Sequence, residues 1–222
     1  DPYKYNSFTV NAGDQIFRLT GNIATRIGKL ADSGALGRFP RTIAFQSVVD
    51  ATIPPATLID QLFMKLGRGE HELVLFDVNR HAESTSLMRA DPESLTARLL
   101  REPELPFDIT LLTNVSAESD TVVARRKAAG ATSGEASPTD LVWPQGLFSL
   151  SHVAIPFPPD DPVYGGVFNH PGGERQITLG SVSIRGERNL LQIPDNYFLR
   201  LRYNPFFEFL VARSLEFLDL AK

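Results

Sequence analysis

The chain has 222 residues, 42% of them hydrophobic and 22% charged, which is enough to bury a substantial core in one large domain or in one and a half small ones. Its net charge of −4 provides no broad basic surface, so the composition argues against nucleic acid as a partner and against recruitment to anionic lipid. The absence of cysteine excludes disulfides, thiolate nucleophiles and cysteine-ligated zinc, and it leaves the redox compartment open.

The first forty residues contain one strong helical pattern. Residues 1–11 are polar and aromatic without a period, and we interpret them as an extended connector. Residues 12–33 carry apolar side chains at spacings of 3, 4, 4 and 3, which predicts an amphipathic surface helix. These side chains are Ile16, Leu19, Ile23, Ile27 and Leu30. No signal peptide is visible, and no run approaches the roughly 18 apolar residues of a membrane span, so we expect no transmembrane segment.

Residues 41–66 predict the unit around which the chain is arranged, a buried strand followed by an amphipathic helix. Residues 42–49 are apolar and β-branched without a clean alternation, as expected of a parallel strand covered on both faces. Asp50 follows at the carboxyl end of this strand, where ligands and catalytic groups gather in open α/β sheets. Pro54 and Pro55 suit the first turn of the helix. Its apolar stripe consists of Leu58, Ile59, Leu62, Phe63 and Leu66.

Further segments extend the predicted sheet. Residues 71–78 form a second strand, and because a helix joins it to the first, the two strands should be parallel with a right-handed crossover. A helix is predicted at 92–100 and a third strand at 107–115. Residues 116–139 are rich in Ala, Ser and Gly and predict a surface excursion. Its basic residues, expected to be solvated, are Arg125, Arg126 and Lys127.

The last third of the chain supplies a histidine and a closing helix. Apolar residues lead into Ser151 and His152, and a proline-rich turn follows. A histidine between a strand and an irregular loop is placed to meet groups at the same sheet edge as Asp50. The closing helix has Asn204 as its N-cap and Pro205 as its first helical residue. The residues predicted to pack it on the sheet are Phe207, Leu210, Val211, Leu215 and Leu218.

The order of an acid after a strand, a later histidine and a closing helix resembles the C-terminal half of the α/β-hydrolase superfamily. The segment SVVDATIPP resembles the acid loop of that family, and LSHVAIPF resembles its histidine loop. The first twenty residues, DPYKYNSFTVNAGDQIFRLT, resemble the lid region of monoglyceride-lipase-like and serine-aminopeptidase-like members. The resemblance covers nearly the whole chain. It implies an α/β fold, the C-terminal part of a hydrolase sheet with mostly parallel strands, flanking helices and a helical lid segment.

The resemblance also implies a function and a division of the chain. It assigns Asp50 as the triad acid and His152 as the general base of a serine hydrolase that acts on carboxylic or lipid-like esters. The nucleophilic serine would lie outside this sequence, and no cofactor or metal is implied. Residues 1–40 are expected to form the lid, and residues 41–222 the C-terminal half of the core with an insertion around 79–140.

Two features depart from the family pattern. The chain contains no G-x-S-x-G nucleophile elbow, and the nearest approach, residues 130–134, has the wrong spacing and lies in a polar segment. The oxyanion-hole loop that should follow an early strand is also missing. We therefore expect the chain to lack the first half of the sheet and to have that N-terminal half as its partner, as in a proteolytic product or a nicked enzyme.

Alternative site residues remain open. Asp77, at the end of the second strand, competes with Asp50 as the triad acid, because the carboxylate can lie on a neighbouring strand. Ser151 is a weak candidate nucleophile, since adjacency to His152 in sequence does not bring its oxygen within reach of the ring. The other histidines, interpreted as surface or turn residues, are His71, His81 and His170.

Asp160 and Asp161 are adjacent acids that could suggest a metal site, but they lack further spaced ligands. The prolines around them predict a rigid turn instead.

The alternative function is a non-catalytic binding or interaction module that keeps the hydrolase-like half-fold without the nucleophile. A half sheet would expose an open edge strand, which is an association hazard and argues for a partner. An upstream G-x-S-x-G would favour the hydrolase, and a natural start near Asp1 would favour the module.

Overall fold

A mixed five-stranded β-sheet forms the centre of the fold, with helices on both of its faces. The computed structural model describes residues 10–50, 53–81, 88–89, 93–144, 147–150, 157–165, 183–184, 199–200 and 203–219. The strands, in both chain order and spatial order, are β1 (Ile43–Ser47), β2 (Glu72–Phe76), β3 (Asp108–Asn114), β4 (Thr121–Lys127) and β5 (Glu135–Val142). A separate antiparallel pair consists of β6 (Ser183–Ile184) and β7 (Leu199–Arg200).

The α-helices flank this sheet, and a short 3-10 helix (Ala35–Arg38) precedes β1. The α-helices are α1 (Val10–Asp32), α2 (Pro55–Leu58), α3 (Met64–Leu66), α4 (Glu93–Arg101) and α5 (Phe207–Asp219). A π-helical turn, Ile59–Phe63, joins α2 to α3, so the two form one helix. Gly67 ends that helix with a φ of 74°, a left-handed conformation that favours glycine. Within the described ranges, no helix combines the length and the hydropathy of a membrane span.

The first three strands are parallel, and the last two are antiparallel to their neighbours. Phe45 of β1 lies opposite Val74 of β2, which lies opposite Thr110 of β3. The connections at 115–120 and 128–134 are too short for the crossover that parallel neighbours require, so β4 and β5 are antiparallel. The expectation of a mostly parallel sheet is therefore corrected. The sheet is mixed, with two parallel and two antiparallel pairings.

The interpretation of residues 116–139 as a surface excursion is wrong, because this segment supplies β4 and the start of β5. Val122 and Ala124 are buried, which is the alternation of a strand with one covered face. The high content of Ala, Ser and Gly hid this pattern in the sequence.

Lys127, predicted to be solvated, is 1% exposed. Its Nζ donates hydrogen bonds to the carbonyl oxygens of Leu99, at 3.0 Å, and of Glu102, at the end of α4. Burial lowers the pKa of Lys127, and the negative charge of Glu102 opposes that effect. The carbonyls at a helix C-terminus attract a cation, so Lys127 can be buried where a hydrophobic pattern would not place it.

α1 lies on the surface, as predicted, and none of its residues is buried. Ile16, Leu19 and Ile23 are 52%, 58% and 46% exposed. The helix contacts the 3-10 helix that follows it and the α2–α3 helix. Much of its apolar stripe therefore faces away from the described core.

The α2–α3 helix and α4 cover one face of the sheet. The ring of Phe63 packs 4.9 Å from the ring of Phe107, centroid to centroid. The other buried side chains of this core include Ile59, Leu73, Leu75, Leu99, Ile109 and Leu111. Both helices lie on one face because the two βα connections step in the same direction along the sheet with the same handedness.

α5 and the segment around Trp143 cover the opposite face. The ring of Phe206, just before α5, stacks 5.7 Å from Phe76 of β2 and meets Trp143 edge-on at 5.2 Å. Val74, Leu112 and Val122 belong to the same cluster. The sheet is therefore covered on both faces along β2 and β3.

The predicted sheet-facing stripe of α5 is wrong for two of its members. Leu215 and Leu218 are 56% and 61% exposed, whereas Phe217 is buried. The face toward the sheet carries Phe217 and Arg213, which lie four residues apart and so on the same side of the helix. The hydrophobic pattern of α5 does not predict that Arg213 faces the sheet, because the carboxylate that pairs with Arg213 lies on another element.

The partner of Arg213 is Glu72, the first residue of β2, which is 3% exposed. Nε of Arg213 lies 3.2 and 3.0 Å from the two carboxylate oxygens of Glu72, and Nη2 bonds to the same carboxylate. The hydroxyl of Thr110 donates a further hydrogen bond to Glu72 at 2.7 Å. The hydrogen bonds that Arg213 donates to Glu72 raise the pKa of Arg213, so the guanidinium stays charged and ties α5 to β2.

We expect Arg213→Met to lower the free energy of unfolding by about 3–5 kcal/mol, because it leaves the buried carboxylate of Glu72 without its cation. Urea denaturation measures this change. Glu216→Gln is the control, since Glu216 also bonds to Arg213 but is 61% exposed, and it should cost at most about 1 kcal/mol. Equal losses in the two variants would show that the buried pair contributes no more than the exposed one.

His71 is a core residue, which corrects the interpretation of it as a surface or turn histidine. It is 5% exposed, and its Nδ1 has no hydrogen-bond partner. Gly69 packs against the ring, since a Cβ there would lie 2.7 Å from Nε2. Burial lowers the pKa of His71, so the imidazole is neutral in the folded protein. His81 is exposed, as predicted.

His71 should make the protein less stable in mild acid. The unfolded chain binds a proton at His71 near pH 6.5, while the folded chain binds it only at a lower pH. The free energy of unfolding should therefore fall as the pH drops from about 7.5 through the folded pKa.

Urea midpoints at several pH values, measured for the wild type, His71→Gln and His81→Gln, test this expectation. The acid-dependent loss should shrink in His71→Gln and persist in His81→Gln, because the exposed imidazole is solvated in both states. If the stability of His71→Gln falls with pH as steeply as that of the wild type, groups other than His71 cause the loss of stability in acid.

Candidate functional site

The Asp50 carboxylate lies just beyond β1 in a half-buried turn. Oδ2 accepts a hydrogen bond from Nε2 of Gln46, and Oδ1 accepts one from the backbone N–H of Ile53, each at 2.9 Å. Nε2 of Gln46 also donates to the carbonyl oxygen of Ile53 at 2.9 Å, which closes the turn. These two hydrogen bonds orient the carboxylate of Asp50 within the turn.

Asp77, just beyond β2, is in a different state, because it is 2% exposed and tightly paired. Nε and Nη2 of Arg80 each lie 3.1 Å from one of its two oxygens. The hydroxyl of Thr113 donates to Oδ2 at 2.9 Å, and the backbone N–H of Val78 donates to Oδ1 at 2.8 Å. These four bonds match the acceptor capacity of a carboxylate, so an imidazole could reach Asp77 only by displacing one of them.

Asn79, two residues further, binds the segment 147–150. Its backbone N–H donates to the carbonyl oxygen of Phe148 at 2.7 Å, and its Nδ2 donates to that of Leu147 at 2.9 Å. Its Oδ1 accepts a bond from the backbone N–H of His81 at 3.1 Å. The end of β2 is thereby joined to the chain that leads toward Ser151 and His152.

Asn114, the last residue of β3, supports Asn79. Its Nδ2 donates to Oδ1 of Asn79 at 3.1 Å and to the carbonyl oxygen of Ser119 at 2.7 Å. Its Oδ1 accepts from the backbone N–H of Arg80 at 2.7 Å. Asn79 and Asn114 together form what we call the asparagine clamp, which links the ends of β2 and β3 to the turn before β4.

The segment 147–150 crosses the carboxyl edge of the sheet. Leu147 and Leu150 belong to the core on the α5 face, whereas Phe148 packs against the core on the opposite face. That second core contains Val48 and Val49, the two residues before Asp50. The stem of the predicted histidine loop and the turn that carries the predicted acid therefore share one hydrophobic cluster.

The predicted histidine loop itself lies outside the described residues. Ser151 and His152 belong to 151–156, and His170 belongs to 166–182, which are also outside the described part. His71 precedes β2, at the opposite end of that strand from Asp50. Among the described residues, Phe148 and the two residues before Asp50 thus share one hydrophobic cluster, whereas His71 lies at the other end of β2.

A cleft of about 570 Å³ opens beside this edge, between α4 and the strands β3 and β4. Leu100 and Leu111 contribute apolar surface, and Arg101 and Arg125 contribute guanidinium groups. Asp77, Arg80, Glu93 and Asn114 are also part of its lining. An apolar surface beside cations is suited to a small organic anion.

Asp161 has a structural role, as predicted for a rigid turn. Its Oδ1 accepts hydrogen bonds from the backbone N–H groups of Val163 and Tyr164 at 2.9 and 2.7 Å. Among the residues that the structure describes, no group of three or more His, Asp or Glu side chains is arranged to hold a metal ion.

The sequence reasoning missed the residues that organise this edge, namely Arg80, Thr113 and the asparagine clamp. A signal was available, because Asn79 and Asn114 follow or end strands just as Asp50 does. Their partners could not be found, since the bonds join residues 35 and 68 positions apart.

The fold and this edge define an α/β protein with a mixed sheet and a polar cluster where its parallel strands end. Comparisons with family models, curated proteins and solved structures found no match to the chain. The resemblance to α/β-hydrolases therefore depends on the sequence motifs alone.

Proposed function

We propose that the chain supplies the acid and the base of a serine hydrolase that acts on carboxylic or lipid-like esters. Asp50 is the acid and His152 is the base. The serine nucleophile is carried by polypeptide outside this sequence, the N-terminal half of an α/β-hydrolase sheet. No cofactor is needed for this chemistry.

One observation carries this proposal, namely that Phe148 packs against the same hydrophobic cluster that contains Val48 and Val49. Asp50 follows Val49 directly, and His152 is two residues beyond Leu150, a reach of at most about 7 Å of extended chain. The proposal therefore brings His152 to the same edge of the sheet as Asp50.

The two residues have complementary tasks in the proposed reaction. His152 accepts the proton of the serine hydroxyl as the oxygen attacks the ester carbonyl, and later gives it to the leaving alkoxide. Asp50 accepts a hydrogen bond from the other ring nitrogen, which fixes the tautomer and stabilises the imidazolium. Gln46 and the N–H of Ile53 would keep the carboxylate in place throughout.

Asp50 is favoured over Asp77 because of the bonds that Asp77 makes. The guanidinium of Arg80 already neutralises Asp77, and a cation beside the acid would oppose the formation of an imidazolium. Asp50 accepts hydrogen bonds from an amide side chain and a backbone N–H, which orient its carboxylate.

The exposed stripe of α1 supports the lipid-like substrate class. Ile16, Leu19 and Ile23 are all near half exposed, although they form one side of a long amphipathic helix. In a lid formed by residues 1–40, such a face would meet an acyl chain. The apolar contact would contribute about 25 cal/mol for each Å² removed from water.

The first experiment is the intact mass of the purified material, under denaturing conditions, before and after reaction with a fluorophosphonate. The probe should label a serine on a polypeptide that contains a G-x-S-x-G elbow, while a separate 24.5 kDa chain of this sequence stays unlabelled.

In the complete enzyme, His152→Ala should abolish ester hydrolysis, and Asp50→Asn should lower kcat by about 10⁴.

Two controls accompany these variants. Asp77→Asn should lower the stability of the protein and leave kcat unchanged, because the carboxylate of Asp77 pairs with Arg80. His81→Ala should change neither the stability nor kcat, because His81 is exposed. Retained activity in His152→Ala or Asp50→Asn, or a label on this chain, would contradict the proposal. Near-ultraviolet circular dichroism of each variant shows whether the fold persists.

The second candidate function is a non-catalytic binding module, and the cleft is the observation that favours it. Arg125 lies opposite Leu111 in the β3–β4 pairing and lines the cleft beside it. Arg126, the next residue, lies opposite Thr110, whose hydroxyl bonds to Glu72 on the α5 face. Arg125 and Arg126 therefore point to opposite faces of the sheet, and of the two only Arg125 lines the cleft.

Hexanoate and hexanol are matched probes for this cleft, since they share a chain and differ in charge. Hexanoate should shift amide NMR signals of β3 and α4, and Arg125→Gln should weaken its binding about tenfold through the loss of a charge-assisted hydrogen bond. Arg126→Gln should leave the affinity unchanged. Equal binding of hexanol, or equal effects of the two substitutions, would argue against an anion site.

A further inference from the structure

β1 lies at one edge of the five-stranded sheet, and its outer side is open. On the inner side, the carbonyl oxygen of Thr42, just before β1, and the backbone N–H of Val48, just after it, bond to β2, each at 2.9 Å. The backbone groups of successive residues point to alternate sides of a parallel strand, so those of Ile43 and Phe45 point away from β2. No strand in the part of the chain that the structure describes pairs with them.

β5 lies at the other edge of the sheet and carries features that prevent a further strand from pairing. Pro138 has no backbone N–H, and Glu135 and Asp140 bring charge to this edge. The pairing of β5 with β4 also shifts its register between Thr121 and Val123. β1, with the sequence IAFQS, has no proline, no charged residue and no such shift. Of the two edges, the edge of β1 is therefore the one suited to accept another strand.

Apolar side chains remain exposed on the helices that flank β1. α5 contacts β1, and Leu215 and Leu218 of this helix are 56% and 61% exposed. On the opposite face, the α2–α3 helix packs in the same cluster as Ala44, and Met64 of this helix is 45% exposed. A parallel strand added to β1 needs cover on both of its faces, and these side chains offer contact to the layers that supply it. The edge is therefore suited to a strand of a folded α/β polypeptide rather than to an isolated peptide.

We propose that the outer edge of β1 docks a strand of the polypeptide that carries the serine nucleophile, and that this strand runs parallel to β1. The inference rests on the proposed function, which supplies that polypeptide. The docked strand bonds to the backbone groups of Ile43 and Phe45.

The parallel direction follows from where the chemistry has to lie. A parallel strand ends at the same edge of the sheet as β1 and β2, so the groups that follow it meet the groups at that carboxyl edge. A second copy of this chain, paired about a two-fold axis, would run antiparallel to β1 and place its own carboxyl edge at the opposite end of the sheet.

Amide hydrogen exchange, resolved to single residues, tests the docking by comparing the complete enzyme with the 222-residue chain alone. The amides of Ile43 and Phe45 should exchange at least about 100-fold more slowly in the complete enzyme, because the docked strand accepts their hydrogen bonds. The amides of Ala44 and Gln46, which face β2, should be protected in both samples and so show that β1 stays in the sheet. The amides of β5 should exchange at similar rates in both samples.

Phe45→Pro and Phe45→Ala form a matched pair, since both remove the aromatic ring and only the proline removes the outward N–H. In the complete enzyme, the amide of Ile43 should exchange at least about tenfold faster in Phe45→Pro than in Phe45→Ala, because the proline leaves the docked strand with an unpaired carbonyl. In the 222-residue chain alone, the two variants should have equal urea midpoints, because the proline removes no bond to β2. If Phe45→Pro lowers that midpoint, Ile43→Pro and Ile43→Ala take their place, with the amide of Phe45 as the readout, since proline is tolerated at the first residue of a strand.

The outcomes separate the docking from the function on which it rests. If the fluorophosphonate labels a serine outside this chain while Ile43 and Phe45 exchange equally fast in both samples, the docking is overturned and the proposed function stands. Protection of these amides without any labelled serine would overturn the proposed function and, with it, the identity of the docked strand. Protection in the 222-residue chain alone that grows with its concentration would mean that a second copy covers β1, which also overturns the proposal. Protection confined to a labelled complete enzyme, and lost in Phe45→Pro, supports both.

Discussion

β2 is buried along its whole length, so the polar groups at its two ends must find partners within the protein. Glu72 at its start is paired with Arg213 and so attaches α5 to the sheet. Asp77 just past its end is paired with Arg80 and Thr113 and so attaches β2 to β3. Both carboxylates are almost fully desolvated, and each would be costly to bury without its cation. β2 thus determines where α5 lies and how the carboxyl edge is built.

The same requirement distinguishes the two acids at the carboxyl edge of the sheet. The pairing that stabilises buried Asp77 also neutralises it, whereas Asp50 is half-buried and accepts hydrogen bonds from Gln46 and the backbone N–H of Ile53. The asparagine clamp then brings the segment 147–150 over the end of β2, beside the turn that carries Asp50. The hydrogen bonds at the end of β2 and the candidate site at the end of β1 therefore belong to the same edge of the sheet.

Much of the fold follows from local patterns. The period of α1 and the apolar runs of β1, β2 and β3 are visible in the sequence because one short segment contains each signal. The β4–β5 hairpin was missed because its small residues weaken the alternation. The buried state of Lys127 was missed because the carbonyl groups that bind it belong to α4. At the candidate site, the position of Asp50 after a strand is visible in the sequence, whereas the bonds of Asn79 to the segment 147–150 are not.

The sequence by itself determined the order of the first three strands and of the helices, the surface position of α1 and the presence of acids at the ends of β1 and β2. These properties depend on periodicity and on neighbours within a few residues, which a linear pattern records. Only the tertiary structure decided that Asp77 is neutralised, that Arg213 faces inward and that Asn79 holds the segment 147–150. Each of these depends on a hydrogen bond or ion pair with a residue on another element, and the strength of such a bond is set by burial that exists only after the sheet has formed.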